Sequence, residues 1–278
     1  MHPHDTHRKA FVRLAQSLSR QEGWTQYDAF RAFLEAGYRS IRGAFLHGDA
    51  WQQNEDEYMK IVRRCRHPKE TMAALVEMLG HTVEALEAKC EDFLGPVYMD
   101  IGGSKDHGQF FTPHELSSLI ARVNMPDLGE MIAASPRGYF TAHEPAAGMG
   151  GMVLAVAEIM REQGFEPARH CHWQMIDVEF KAMAGCYIQT SLAGVSGIVV
   201  HGNALTLQEW AYSLTPTAWL FPKRFDIATP APTEPIAVPA IEAPEPIIRK
   251  VSKAAPPKAG QMAFDFTVPP NMAERKST

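Results

Sequence analysis

No uninterrupted apolar run in this chain approaches the roughly 20 residues that a membrane-spanning helix needs. The opening residues Met1-His2-Pro3-His4-Asp5 also lack the charged-then-apolar pattern of a secretory leader, so a cytoplasmic protein without membrane contact is expected. Cysteine is scarce. Cys65, Cys90, Cys171 and Cys186 form no C-x-x-C pair and no zinc-like spacing with the histidines, which leaves reduced structural thiols. An excess of positive charge is missing too: 27 Lys and Arg stand against 32 Asp and Glu, a net charge of −5. Such a chain does not grip nucleic acid over a broad face by neutralising phosphates, so any DNA contact is local or shared with a partner. Short basic clusters occur at Arg63-Arg64-Cys65-Arg66 and around Arg249-Lys250 and Lys253. On a helix such a cluster is more often a solvated face than a nucleic-acid grip. Internal repeats are absent.

What is present is enough apolar material, 45% of 278 residues, to bury a real core. From about Arg8 to Val97 the apolar positions recur at helical spacing, as in Phe30, Phe33, Leu34, Tyr38 and Ile41, so residues 1–100 are expected to form a helical domain. Thr25 is a plausible N-cap, and a helix is expected after Pro68. The glycines and charges from Asp100 to Gly108 then break the periodicity.

Beyond them, short apolar strands alternate with helices. Strands are expected at Tyr139 to His143, Cys171 to Ile176, Gly197 to His201 and Arg224 to Thr229, and helices at Met152 to Glu162 and Phe180 to Leu192. That order implies right-handed β-α-β units and a parallel α/β sheet of Rossmann type over residues 108–229. From Pro230 to Pro257 the composition shifts: eight of the 20 prolines fall there, where neither helix nor sheet can propagate, so residues 230–278 read as a disordered tail. Near its end lies a small apolar island, Gln261 to Phe266, read either as a segment that packs back on the fold or as a short motif that docks on a protein partner.

Four segments carry chemistry. Glu144-Pro145-Ala146-Ala147-Gly148-Met149-Gly150-Gly151 follows a strand and opens a helix, where glycines let the backbone approach a ligand. The spacing is not the G-x-G-x-x-G of dinucleotide sites, and the leading acid suits a positively charged methionine amino group better than a pyrophosphate. Asp177 ends the second strand, where a carboxylate can accept hydrogen bonds from ribose hydroxyls; Glu179 competes for the role, and an acid there serves equally well as a helix cap. Asn203 ends the third strand, where its amide could pair with an adenine edge or hold its own turn. In Gly108-Gln109-Phe110-Phe111-Thr112-Pro113-His114-Glu115, Thr112 and Glu115 have capping-box spacing and Pro113 sits in the first helical turn. The aromatic pair and the positive end of that helix could hold a methionine carboxylate and chain, or simply pack in the core.

Taken in order, Gly-Gln-Phe-Phe-Thr-Pro, Glu-Pro-Ala-Ala-Gly-Met-Gly-Gly, Asp177 and Gly-Asn-Ala-Leu over Gly108 to Leu205 resemble the N6-adenine DNA methyltransferases, especially the modification subunits of type I restriction systems. The resemblance implies a class I methyltransferase sheet behind a helical N-terminal domain, S-adenosylmethionine as cofactor, no metal, and DNA reached through a partner or specificity subunit. It implies that Phe111, Thr112 and Pro113 contact the methionine part of the cofactor. Glu144, Ala146, Gly148 and Gly150 would form the binding turn, Asp177 the ribose acid and Asn203 an adenine contact. The family places Asn or Asp, then Pro-Pro and an aromatic, after its fourth strand, to activate the amino nitrogen of a flipped-out adenine. No such tetrad is found here. The nearest catalytic candidates are Thr229-Pro230-Ala231-Pro232, which follow Phe225-Asp226-Ile227, and the segment Thr215 to Trp219, which has an aromatic but no Asn or Asp. The family's sheet also continues through more strands than this chain is expected to have, which makes an incomplete sheet an expectation. Three functions remain open: an active adenine-N6 DNA methyltransferase, a catalytically silent relative that binds the cofactor or regulates other proteins, and, with less support from the motif order, a methyltransferase of proteins or small molecules.

Overall fold

A computed structural model describes residues 2–101, 111–125 and 127–221. Seven helices precede the sheet: α1 (Asp5–Glu22), α2 (Gln26–Gly43), α3 (Gly48–Arg64), α4 (Pro68–Ala88), α5 (Leu94–Asp100), α6 (His114–Asn124) and α7 (Leu128–Ala134). Their ends follow local rules. Gly23, at φ +72°, stops α1 in the left-handed conformation that glycine adopts without steric cost. Thr25 then starts α2 with a full capping box: its hydroxyl accepts from the Asp28 N–H at 3.0 Å while the Asp28 carboxylate accepts from the Thr25 N–H at 3.1 Å. Pro68 occupies the first turn of α4, where a missing N–H costs nothing.

The sheet has four strands in the order β1 (Phe140–Glu144), β2 (Cys171–Asp177), β3 (Gly197–Asn203) and β4 (Gln208–Leu214). The first three run parallel, with Glu144 beside Met175 and Asp177 beside His201, so their C-terminal tips lie at one end of the sheet. Helix α8 (Gly151–Glu162) and the short turn α9 (Pro167–His170) connect β1 to β2, and α10 (Phe180–Leu192) connects β2 to β3. A final helix, α11 (Pro216–Leu220), follows β4, making eleven helices among the described residues. The result is a mixed α/β fold.

Two local expectations are corrected. The sheet is not wholly parallel, because β4 returns antiparallel along β3. Only residues 204–207 join the two strands, far too few for a parallel crossover, and the Asn203 side chain accepts from the N–H groups of Leu205 at 3.0 Å and Thr206 at 3.2 Å to turn the chain. The alternation of Trp210, Tyr212 and Leu214 with Glu209, Ala211 and Ser213 is the signal for this strand. The capping box at Thr112 does not form either. Pro113, extended at ψ 143°, is the cap residue of α6, and its carbonyl accepts from Leu116 and Ser117. The expected strand at Arg224 to Thr229, the proline-rich tail, its Gln261 to Phe266 island and the basic residues around Arg249 lie outside the described residues.

Helices and sheet share one hydrophobic cluster. Phe11 packs edge-on against Phe33 and Phe93, with ring centres 4.9 and 5.9 Å apart. Tyr38 of α2 meets Tyr187 of α10 at 5.1 Å and shares a 2.7 Å hydrogen bond with Ser213 of β4. Gly37 allows the approach, since a β-carbon there would stand 3.0 Å from Ile188. All four cysteines are free thiols, three of them buried. No helix among the described residues is long and apolar enough to cross a membrane.

Candidate cofactor-binding site

The tips of β1 and β2 open onto a cavity of about 360 Å³. Its floor is the turn after β1. Gly148 and Gly150 adopt φ +54° and +92°, which lets the chain double back into α8, and the Ala147 N–H donates to the Ile176 carbonyl of β2 at 2.8 Å. Gly148 lies directly under the Phe111 ring: a β-carbon there would stand 3.1 Å from the ring. Tyr98 meets that ring edge-on at 5.2 Å and keeps it over the turn.

Asp177 closes the second side. Its carboxylate accepts from the Gly148 N–H at 2.8 Å and from the Glu179 N–H at 2.9 Å. Burial pushes its carboxyl above the ordinary range, helped by the charges of Glu179 and Glu144, while the two N–H bonds pull it back. Glu179 itself accepts from the Ala182 N–H at 2.9 Å and caps α10, so the two acids divide the roles: Asp177 lines the cavity and Glu179 starts a helix. Glu144 lines the cavity with its carboxylate over the Ala146 N–H at 3.2 Å.

The structure therefore brings Phe111, Thr112, Glu144, Ala146, Gly148 and Asp177 around one space. Three other expected site residues stand outside its lining. Pro113 caps α6, Gly150 packs under the turn against Cys186, and Asn203, at the tip of β3, spends its side-chain oxygen on the β3–β4 turn. Trp219 is farther still. It sits on α11, which begins beside Gly197 at the opposite end of β3, and seven strand residues span about 20 Å. Thr229 and Pro230 lie outside the described residues.

Two polar lining residues were not anticipated from sequence, Asp92 and Ser117, both buried. Asp92 belongs to a polar network centred on Gln189 of α10, itself fully buried. The Gln189 amide oxygen accepts from the N–H groups of Phe93 at 2.8 Å and Leu94 at 3.1 Å, and its nitrogen donates to Asp92 at 2.9 Å and to the Met149 carbonyl at 2.6 Å. This network ties the start of α5 to the glycine turn. The only local hint is the pattern Asp92-x-x-Gly95 of a helix cap; nothing in the chain's order connects position 92 with position 149.

A mixed α/β fold with a glycine turn and acids at adjacent strand tips is consistent with the class of methyltransferases. Residues 98–213 match the model of the family described as N-6 DNA methylase. The match supports a DNA N6-methyltransferase-like character for this stretch, and members of that family use S-adenosylmethionine as methyl donor. No curated protein matches the chain.

Proposed function

We propose that the cavity binds S-adenosylmethionine and that the sheet is the Rossmann-type core of a class I, adenine-N6 DNA methyltransferase or a close relative. One observation carries the reading: three carboxylates, Asp92, Glu144 and Asp177, line the cavity, with no lysine or arginine among its described lining residues. Such a space repels the phosphates of a dinucleotide or nucleoside triphosphate and attracts a ligand carrying a sulfonium and an ammonium. Its volume is within the roughly 300–1,000 Å³ of small-molecule sites.

S-adenosylmethionine supplies a methyl group activated by a positively charged sulfur. The chain's own residues would bind and orient it. Asp177, fixed by two backbone N–H groups, offers its remaining acceptor capacity to ribose hydroxyls, and Phe111 and Thr112 border the methionine side. The bare Gly148 keeps the space beneath Phe111 open. DNA would reach the site with help from a partner or specificity subunit in a restriction-modification setting, one of the two routes, local or shared contact, that the net charge of −5 leaves. Gln261 to Phe266 is the segment proposed for a protein partner.

A second reading, binding without transfer, is favoured by one sequence observation. Where the family would place an amide or acid, two prolines and an aromatic, the chain reads Thr229-Pro230-Ala231-Pro232, with neither amide nor ring to activate and stack a flipped adenine. Calorimetric titration with S-adenosylmethionine tests the shared part; absence of heat removes both readings. Where binding is found, sequencing DNA from cells with and without the protein for N6-methyladenine decides. New methylation supports the enzyme, and unchanged modification leaves the silent relative.

A further inference from the structure

Asp92 and Ser117 form the inner wall of the cavity, and neither is accounted for by the fold alone. Asp92 is 5% exposed and Ser117 is 0% exposed. One Asp92 oxygen is already committed: it accepts from the Gly95 N–H in the first turn of α5 at 2.9 Å and from Gln189 at 2.9 Å. The other, Oδ2, lies between Gly95 of α5, where a β-carbon would overlap it, and Gly151 at the start of α8, 3.3 Å from where a β-carbon on that glycine would stand, and Gly151 lines the same cavity. Among the described residues no lysine or arginine pairs with Asp92. The nearest ionisable rings are engaged elsewhere, His4 with the Lys89 carbonyl at 2.9 Å and His114 with Glu158 at 3.0 Å. A buried carboxylate without a cationic partner is costly, and this one faces a space of ligand size.

Ser117 carries the complementary signal. A serine inside a helix ordinarily bonds its hydroxyl to the carbonyl four residues back. Here that carbonyl, on Pro113, already accepts from the Ser117 and Leu116 N–H groups, and the buried Ser117 hydroxyl has no partner. It can donate to an anion that enters the cavity.

We propose that Asp92 and Ser117 are the subsite for the amino-acid end of the adenosyl ligand, Asp92 taking the α-ammonium and Ser117 the α-carboxylate. The inference rests on the S-adenosylmethionine reading of the cavity. It makes the segment before α5 and the first turn of α6 part of the binding site, so that the glycine turn and Asp177 hold the nucleoside while the helical elements recognise the amino acid.

The test uses the full chain and three probes: S-adenosylmethionine, S-adenosylhomocysteine and 5′-methylthioadenosine, which lacks the amino acid. Asp92→Asn keeps an oxygen for Gly95 and Gln189 but replaces the uncommitted oxygen, Oδ2, by a donor. It should weaken the first two ligands by at least about tenfold and leave methylthioadenosine within about twofold. Ser117→Ala should show the same selectivity with a loss of roughly three- to tenfold. The melting temperature of ligand-free Asp92→Asn should hold or rise, because an uncompensated buried charge is removed, whereas a purely structural carboxylate would give a fall. Equal losses for all three probes, or none for any, overturn the subsite, as does wild-type protein that binds methylthioadenosine as tightly as S-adenosylmethionine. If Asp92→Asn does not fold, the Ser117→Ala titrations decide alone. Wild-type protein that binds none of the probes overturns the cofactor reading itself.

Discussion

The Asp177 carboxylate accepts the Gly148 N–H at 2.8 Å, so the acid at the tip of β2 and the glycine turn after β1 form one unit. Asp177→Ala should therefore act twice. It leaves the Gly148 and Glu179 N–H groups without their side-chain acceptor, at a cost of about 1–3 kcal/mol each, and removes the proposed ribose acceptor. Thermal unfolding should shift down and S-adenosylmethionine affinity should fall by more than tenfold. Asp177→Asn keeps an acceptor for only one of the two N–H groups and turns its amide nitrogen to the other, so it should recover part of the stability and part of the affinity.

Gly148 makes the second case. Its φ of +54° is strained for any side chain, and a β-carbon would meet Phe111 at 3.1 Å. Gly148→Val should abolish cofactor binding in titration calorimetry. Gly148→Ala paired with Phe111→Leu relieves the contact but not the strain, and should recover binding only partly.

Gln189 joins the helical elements to the cavity floor with four hydrogen bonds made from a fully buried amide. Gln189→Leu leaves the Phe93 and Leu94 N–H groups and the Met149 carbonyl unpaired. A loss of roughly 3–5 kcal/mol is expected, read as a lower melting temperature, together with weaker cofactor binding because Met149 and Asp92 both border the site.

Acid should destabilise the fold in a defined window. Burial holds His172 down to about 4 in the folded protein, while the unfolded chain takes up its proton near the ordinary 6.5. The contribution is fully present above pH 6.5, declines as the unfolded state gains its proton, and is lost by about pH 4. His172→Gln should flatten the fall of denaturation midpoint across this window; a variant that tracks the wild type throughout would place the effect on other groups.

Much of this site was legible in the chain, and the reason is local. Phe111, Glu144, Gly148 and Asp177 stand in short segments whose residue types declare a turn, a strand tip or a close approach, and the structure gathers them around one cavity. Thr25 declared its helix start for the same reason. Asp92 and Ser117 were not legible, because only tertiary packing through Gln189 and α6 carries them to the cavity wall. Strand β4 was hidden by its polar outer face, exposed over much of its length, and by a four-residue turn whose signal, Asn203, also suits a ligand contact. Thr112 misled for a different reason: its spacing to Glu115 fits a capping box, but Pro113 is extended and takes the cap itself.

The proposed function requires the acidic cavity at the tips of β1 and β2 to select a cationic adenosyl cofactor over phosphorylated nucleotides. Calorimetric titration of the full chain with S-adenosylmethionine and, in parallel, with ATP measures this directly. One saturable site for S-adenosylmethionine, weakened as pH is lowered toward the raised range of Asp92 and Asp177, with no binding of ATP, is the expected result. No heat with S-adenosylmethionine, or equal affinity for both ligands, would contradict it.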